Sequence, residues 1–254
     1  MYIDLNQCTF LESIFGNLNL CTITSPTTAC RVRVWGNKSV SKPLNQSVRI
    51  ALMTRSDIVP SDSRYTPLTQ QKWCCVPTCI QIVMLRHHLP LPPAELIGYH
   101  LGLIVPSDAL NFFYHARTGP RPPAGYGTQI RKPQYHPKRA FKKLGIPFQI
   151  SQSLIDQFPT LDQFRAHLTT ISQTDTDILI CYDWPTLFDP DQTDHWGHVC
   201  VLDRVYSDQD QVRFIDPASN GPKWVTVATP DLYQAMLVHG SNKSAGFWHL
   251  TLTK

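Results

Sequence analysis

Apolar residues recur along this chain with two periods. Cys75-Val76-Pro77-Thr78-Cys79-Ile80-Gln81-Ile82-Val83-Met84-Leu85 is almost continuously apolar, carries Pro77 near its start and meets no further proline until Pro90. Proline suits a helix's opening turn, where its missing N–H costs nothing, so a helix is expected here, ending around Arg86-His87-His88. Ala94 to Leu101 predicts a shorter helix with Gly102 close behind it, and Ser107 to Tyr114 a further turn or two capped by Ser107. A basic helix is expected from His136 to Gly145, and another from Thr160, where Thr160 and Gln163 have capping-box spacing. Strand patterns then take over: a buried strand over Asp177 to Trp184, alternation at Val199, Val201 and Val205, a polar turn from Ser207 to Asp210, and a returning strand over Val212 to Ile215. Further strands are expected at Pro147 to Ile150, Lys223 to Val227 and Phe247 to Thr253, with a helix over Pro230 to Val238. Helices first and an antiparallel sheet afterwards make an α+β fold. Before them, Val32, Val34, Val48 and Ile50 give only short strand-like patches among Ser, Thr, Asn and Pro. Residues 1–63 are therefore expected to form an extension, β-rich or loosely ordered, ahead of a domain over 64–254.

Composition narrows the function classes. The chain has 254 residues, 42% of them apolar, enough for a sizeable core. Its formal charge of +4 is mild, and Lys and Arg are dispersed, so nucleic acid is not an expected partner. No apolar run reaches transmembrane length, and the N-terminus lacks a basic region followed by an apolar one. A cytoplasmic protein is the expectation, with its eight cysteines as reduced thiols, most of them buried packing residues such as Cys181 and Cys200. Nothing in the pattern sets an oligomeric state.

The chemistry concentrates in two places. Cys75 would sit on the positive end of a helix, which favours the nucleophilic thiolate. A glutamine four or five residues upstream, Gln71 or Gln70, would supply a side-chain N–H beside the Cys75 amide to form an oxyanion hole. Over a hundred residues later, the hairpin puts His198 near the start of one strand and Asp216 near the end of its partner, placing them as neighbours. A histidine oriented by a carboxylate and facing a cysteine is what a thiol hydrolase needs.

A Gln followed shortly by Cys-x-Pro and an apolar helix, then Gly197-His198-Val199 opening a strand, then Asp216-Pro217 after the next strand, resembles the papain-like cysteine peptidases. Within them it is similar to the bacterial branch related to the peptidases that remove double-glycine leaders from bacteriocins. The resemblance runs in order from about Tyr65 to Trp248. It implies a helical part and an antiparallel sheet with the active site in the cleft between them. It also implies Cys75 as nucleophile, His198 as base, Asp216 as orienting residue and Gln71 in the oxyanion hole, with Cys74 and Gln70 as the alternatives. Val76 stands where relatives usually carry Gly, and Cys74 directly precedes Cys75; Cys75 is preferred because Pro77, Ile80 and Ile82 then fall at the family's spacing.

The expected reaction is cleavage of a peptide or isopeptide amide through a thioester, on a peptide or protein substrate and without a cofactor. Acyl transfer to an amine and an inactive binding module are the alternatives. The Gly- and Pro-rich stretch from Arg117 to Gln129 is expected to border the substrate groove, with Tyr126 and Trp196 lining it. No metal is expected: Cys75, Cys79, His87 and His88 lack the two compact pairs of a zinc site, and adjacent histidines point to different sides of a helix. Asp189, Asp191 and Asp194 lack calcium-loop spacing. His195, beside them, is the rival to His198; His198 is preferred because it directly follows Gly197 at the strand start.

Overall fold

In the computed structural model, residues 53–122, 125–218 and 221–253 are described. The buried helix α1 (Cys75–Arg86) sits at the centre of the helical part, because apolar residues surround it on nearly every side: Val76, Ile80, Ile82, Val83 and Met84 are all buried. Around it lie α2 (Ala94–His100), a 3-10 turn (Ser107–Phe112), the short α3 (Tyr114–Thr118) and α4 (Pro137–Leu144). Gly145 ends α4 in the left-handed region at φ 64°, which relieves the steric cost of stopping the helix there. The expected Ser107 cap is not formed. Pro106 occupies the cap position and no side chain caps the turn.

The rest of the described chain builds on one antiparallel sheet. It comprises β1 (Thr54–Ser56), β2 (Phe148–Leu154), β3 (Asp177–Asp183), β4 (Gly197–Tyr206), β5 (Gln211–Ile215), β6 (Trp224–Ala228) and β7 (Gly246–Leu252), in the order β1-β6-β5-β4-β3-β7-β2. Helices α5 (Leu161–Ser172), α6 (Trp184–Phe188) and α7 (Thr229–His239) complete it. The expected capping box is present, Thr160 receiving Gln163 N–H and Gln163 receiving the Thr160 amide. Both sheet faces are covered, which is why β3 is buried at every position. Leu179, Cys181, Val199 and Val201 join the core around α1, whereas Ile178, Ile180, Tyr182, Cys200 and Leu202 join the core with Phe164, Leu168, Leu232 and Met236 of α5 and α7. The stretch expected as a loop from Pro185 begins instead with α6, capped by Asp183 through the Thr186 N–H.

The expected boundary at residue 63 lies inside the folded unit, which spans Ile50–Lys254. β1 pairs with β6, Ser63 donates to Asp203 at 2.8 Å, and Arg213 donates to Asp62 at 2.7 Å. A three-residue polar edge strand offers no apolar alternation to read. The strand-like patches at Val32, Val34, Val48 and Ile50 lie outside the described residues. Among the described residues no helix is long and apolar enough to cross a membrane.

One buried carboxylate ties the end of α1 to the sheet. Asp177 of β3 accepts from Tyr65 Oη at 2.7 Å, Arg86 Nη1 at 2.5 Å and His87 Nε2 at 2.6 Å. Removing it strands the buried Tyr65 phenol and leaves the largely buried Arg86 guanidinium with only the exposed Asp175 as partner. Asp177→Ala is expected to destabilise the fold by about 3 kcal/mol, read as a lowered urea midpoint at unchanged slope; an unchanged midpoint would show the cluster contributes nothing.

Candidate active site

The loop that delivers Cys75 is pinned at both ends. The Gln70 N–H donates to Pro217 O at 2.8 Å, joining this loop to the segment after Asp216, and Cys74 N–H closes a turn onto Gln71 O at 2.8 Å. Within that turn Trp73 adopts φ 67°, a left-handed conformation that costs a bulky residue roughly 1–2 kcal/mol. Cys75 then opens α1, with Cys74 as the N-cap. The first amides of a helix have no intrahelical acceptor, and the Val76 N–H is one of those that act on this sulfur. One turn on, the Cys79 thiol donates to Val199 O at 3.2 Å, locking α1 against β4 beside His198.

His198 and Asp216 meet across the β4–β5 ladder. Val201 faces Ile215, and a bulge between Leu202 and Arg204 absorbs the register shift. Continuing that register puts Asp216 opposite Cys200 and diagonal to His198, on one face. His198 Nε2 and Asp216 Oδ1 are 2.7 Å apart, and Ala218 N–H donates to the same oxygen at 2.8 Å. Both residues are buried. The ring's other nitrogen, Nδ1, is not used by Asp216, and the imidazole lies near enough to Cys75 to hold its thiol down.

The electrostatics separate Cys75 from every other described cysteine. Burial alone would raise the Cys75 thiol, but the His198 hydrogen bond and charge, with the Val199 and Val76 amides, hold it below the ordinary thiol range. Burial also works against a charge on His198, yet Cys200, Asp216 and Cys75 together raise it well above the ordinary imidazole value. Cys200 is itself kept as a neutral thiol, pushed up to about 12 chiefly by burial, so the ionic partners of His198 are Asp216 and Cys75. Burial opposes charge on Asp216 as well, and the His198 contact and Ala218 N–H outweigh it, leaving the carboxyl below its usual range.

The two doublets left open by the sequence separate clearly. Cys74 is fully buried in a small core with Leu103, Val105 and Phe113, and its thiol is pushed up to about 12 by that burial; Cys75 is only partly buried. Gln70 lines the cleft, whereas Gln71, the expected oxyanion residue, turns away and donates through Nε2 to Phe112 O at 2.8 Å. Tyr126 and Trp196 both line the cleft, Tyr126 largely exposed and Trp196 stacked on Trp184. His195 also reaches the cleft, but its Nδ1 pairs with Asp183 Oδ2 at 2.9 Å, away from Cys75. Three of the four residues weighed as zinc ligands have other neighbours: Cys75 has His198, Cys79 donates to Val199 O and His87 pairs with Asp177. Among the described residues, His198, Cys200 and Asp216 have ligand atoms within 4.8 Å of one another. Two of the three are spent on each other, so a cation would have to break the His198–Asp216 bond.

Sequence reasoning missed Cys200, whose place beside the imidazole follows only from the register, and the cleft wall made by Arg131, Lys132, His239 and Lys243. The cleft is open, about 880 Å³ in volume, and is lined by Cys75, the 125–132 loop, and His198, Cys181 and Trp248 of the sheet. A cysteine on a helix N-terminus, a histidine paired with a carboxylate and the amide side chain of Gln70 thus meet at one accessible groove. No protein-family model and no curated protein matches this chain.

Proposed function

We propose that the protein is a papain-like cysteine peptidase or amidohydrolase that cleaves a peptide or isopeptide amide through a Cys75 thioester. The observation that carries this reading is the chain of contacts Cys75–His198–Asp216 in an open cleft. The α+β architecture, with a helical part supplying the nucleophile and an antiparallel sheet supplying the histidine, supports the same reading.

In the proposed reaction the Cys75 thiolate attacks the amide carbon, and the carbonyl electrons move onto oxygen. The Cys75 N–H and the Gln70 side-chain amide receive that oxyanion. As the tetrahedral species collapses, the His198 imidazolium gives its Nδ1 proton to the departing amine, and a thioester remains. Water, deprotonated by the now neutral His198, attacks the thioester; the acid leaves and the thiolate–imidazolium pair is restored. Asp216 holds the ring orientation and stabilises its charge throughout.

Limiting iodoacetamide at about pH 6, where free thiols are nearly unreactive, followed by peptide mapping, tests the reading. Selective alkylation of Cys75 is expected; slow, uniform labelling of all cysteines would overturn it. The oxyanion assignment has its own check. Gln70→Ala is expected to lower kcat for peptide amides by about 10²–10³, while Gln71→Ala changes it only a few-fold. The reverse order would return the role to Gln71.

A further inference from the structure

We propose that this cleft selects peptides bearing a carboxylate next to the scissile amide, because Arg131, Lys132 and Lys243 line it and, among the described residues, no acidic side chain does. The inference rests on the hydrolase reading above and names its substrate class. Arg131 donates through Nη1 to Ser241 O at 2.8 Å, which ties its guanidinium to the short turn Ser241–Lys243. Lys243, on that turn, stands close enough to the buried, cleft-lining His239 for its ammonium to help burial hold that imidazole below its ordinary value. The cations therefore belong to a built wall.

Their charge is not spent on a carboxylate among the described residues. Among the described residues Arg64, Arg86, Arg165, Arg204 and Arg213 are each matched to an aspartate, whereas Arg131, Lys132 and Lys243 make no ion pair. The carboxylates beneath the cleft are already engaged, Asp183 with Thr186 and His195, and Asp216 with His198. With the Cys75 thiolate, Asp216 and Asp183 at −1 each and the His198 imidazolium at +1, the three cations of the wall still leave the groove with a net positive charge facing an incoming chain. A concave wall of one sign concentrates ligands of the other. A carboxylate can come from an Asp or Glu side chain or from a free C-terminus; both answer to the same wall.

The test compares iodoacetate with iodoacetamide as alkylating agents for Cys75, since they differ chiefly in charge. In the native protein the iodoacetate to iodoacetamide rate ratio at Cys75 is expected to exceed that of free cysteine by about tenfold and to fall several-fold between low and roughly 0.5 M salt. It should fall likewise in Arg131→Gln/Lys243→Gln and in Lys132→Gln/Lys243→Gln; the salt series in the native chain decides the matter should either variant misfold. Protection of Cys75 from iodoacetamide by three acetylated tetrapeptides then separates the sources: one with Glu and an amidated end, its Gln counterpart, and the Gln peptide with a free carboxylate. Stronger protection by either acidic peptide supports the proposal and identifies the source. A ratio equal to that of free cysteine and indifferent to salt, or equal protection by all three, overturns the proposal and leaves the hydrolase standing. If Cys75 is alkylated by neither reagent faster than the buried thiols, the hydrolase reading falls, and this one with it.

Discussion

Replacing Cys75 with Ala is expected to abolish amide hydrolysis, a loss on the order of 10⁶ in kcat, while replacing its neighbour Cys74 with Ala changes kcat only a few-fold. The two thiols are adjacent in sequence and opposite in environment. Cys75, on the first turn of α1, lines the cleft and is held below the ordinary thiol range by its neighbour His198. Cys74 is the N-cap, fully buried against Leu103, Val105 and Phe113, with burial holding it as a neutral thiol. Cys74→Ala should instead appear as a stability change of about 1–2 kcal/mol, because it leaves a small cavity in that cluster. Steady-state hydrolysis and urea melts of both variants separate the effects. An active Cys75→Ala protein beside a dead, well-folded Cys74→Ala one would exchange the assignments.

Much of this arrangement is legible in the chain because its signals are local. Pro77 and the apolar run behind it mark the start of α1, and the unbroken apolar stretch over Asp177–Asp183 marks a strand covered on both faces. Thr160 and Gln163 announce the start of α5 through a bond that needs no tertiary partner. Gly-His-Val and Asp-Pro bracket a hairpin short enough for pairing to be inferred. What escaped depends on long-range placement. Cys200 looks like packing until the ladder register brings Asp216 opposite it. Gln70 and Gln71 are indistinguishable as letters; the turn ending at Cys74 and the bond from Gln70 to Pro217 O accompany the placement of Gln70, not Gln71, in the wall of the cleft that Cys75 lines. Likewise Arg131 and Lys243 are far apart in sequence and meet only because Arg131 reaches the turn after α7. The edge strand β1, three polar residues long, takes its structure from β6 and leaves little pattern of its own.

His198→Ala is expected to change the pH dependence of Cys75 reactivity as well as its size. In the native protein the thiol is shifted below its ordinary range and the imidazole above its own, and the proposed reaction requires that these shifts cross, so that the pair exists as thiolate and imidazolium between them. Alkylation should persist on the acid side of a free thiol's pKa of about 8.5 and fall only when Cys75 itself takes a proton. Hydrolysis needs the imidazolium as well, and should also decline on the alkaline side as His198 loses the proton destined for the leaving amine. Without the ring, the burial penalty on Cys75 remains and its largest stabiliser is gone, so the thiol moves upward. At about pH 6 the thiolate fraction collapses, but the more basic thiolate is intrinsically more nucleophilic, so alkylation should fall about ten- to a hundredfold, less than the fraction alone suggests. Near pH 9 the variant should label as fast as the native protein or faster, while its hydrolysis stays lost at both ends. Asp216→Asn keeps the ring but removes the carboxylate that favours its charge, so the alkaline limb of hydrolysis should shift to lower pH with a smaller loss of labelling. If the labelling profile of His198→Ala overlays the native one, the imidazole does not control the sulfur, and Cys75 owes its reactivity to the helix N-terminus alone.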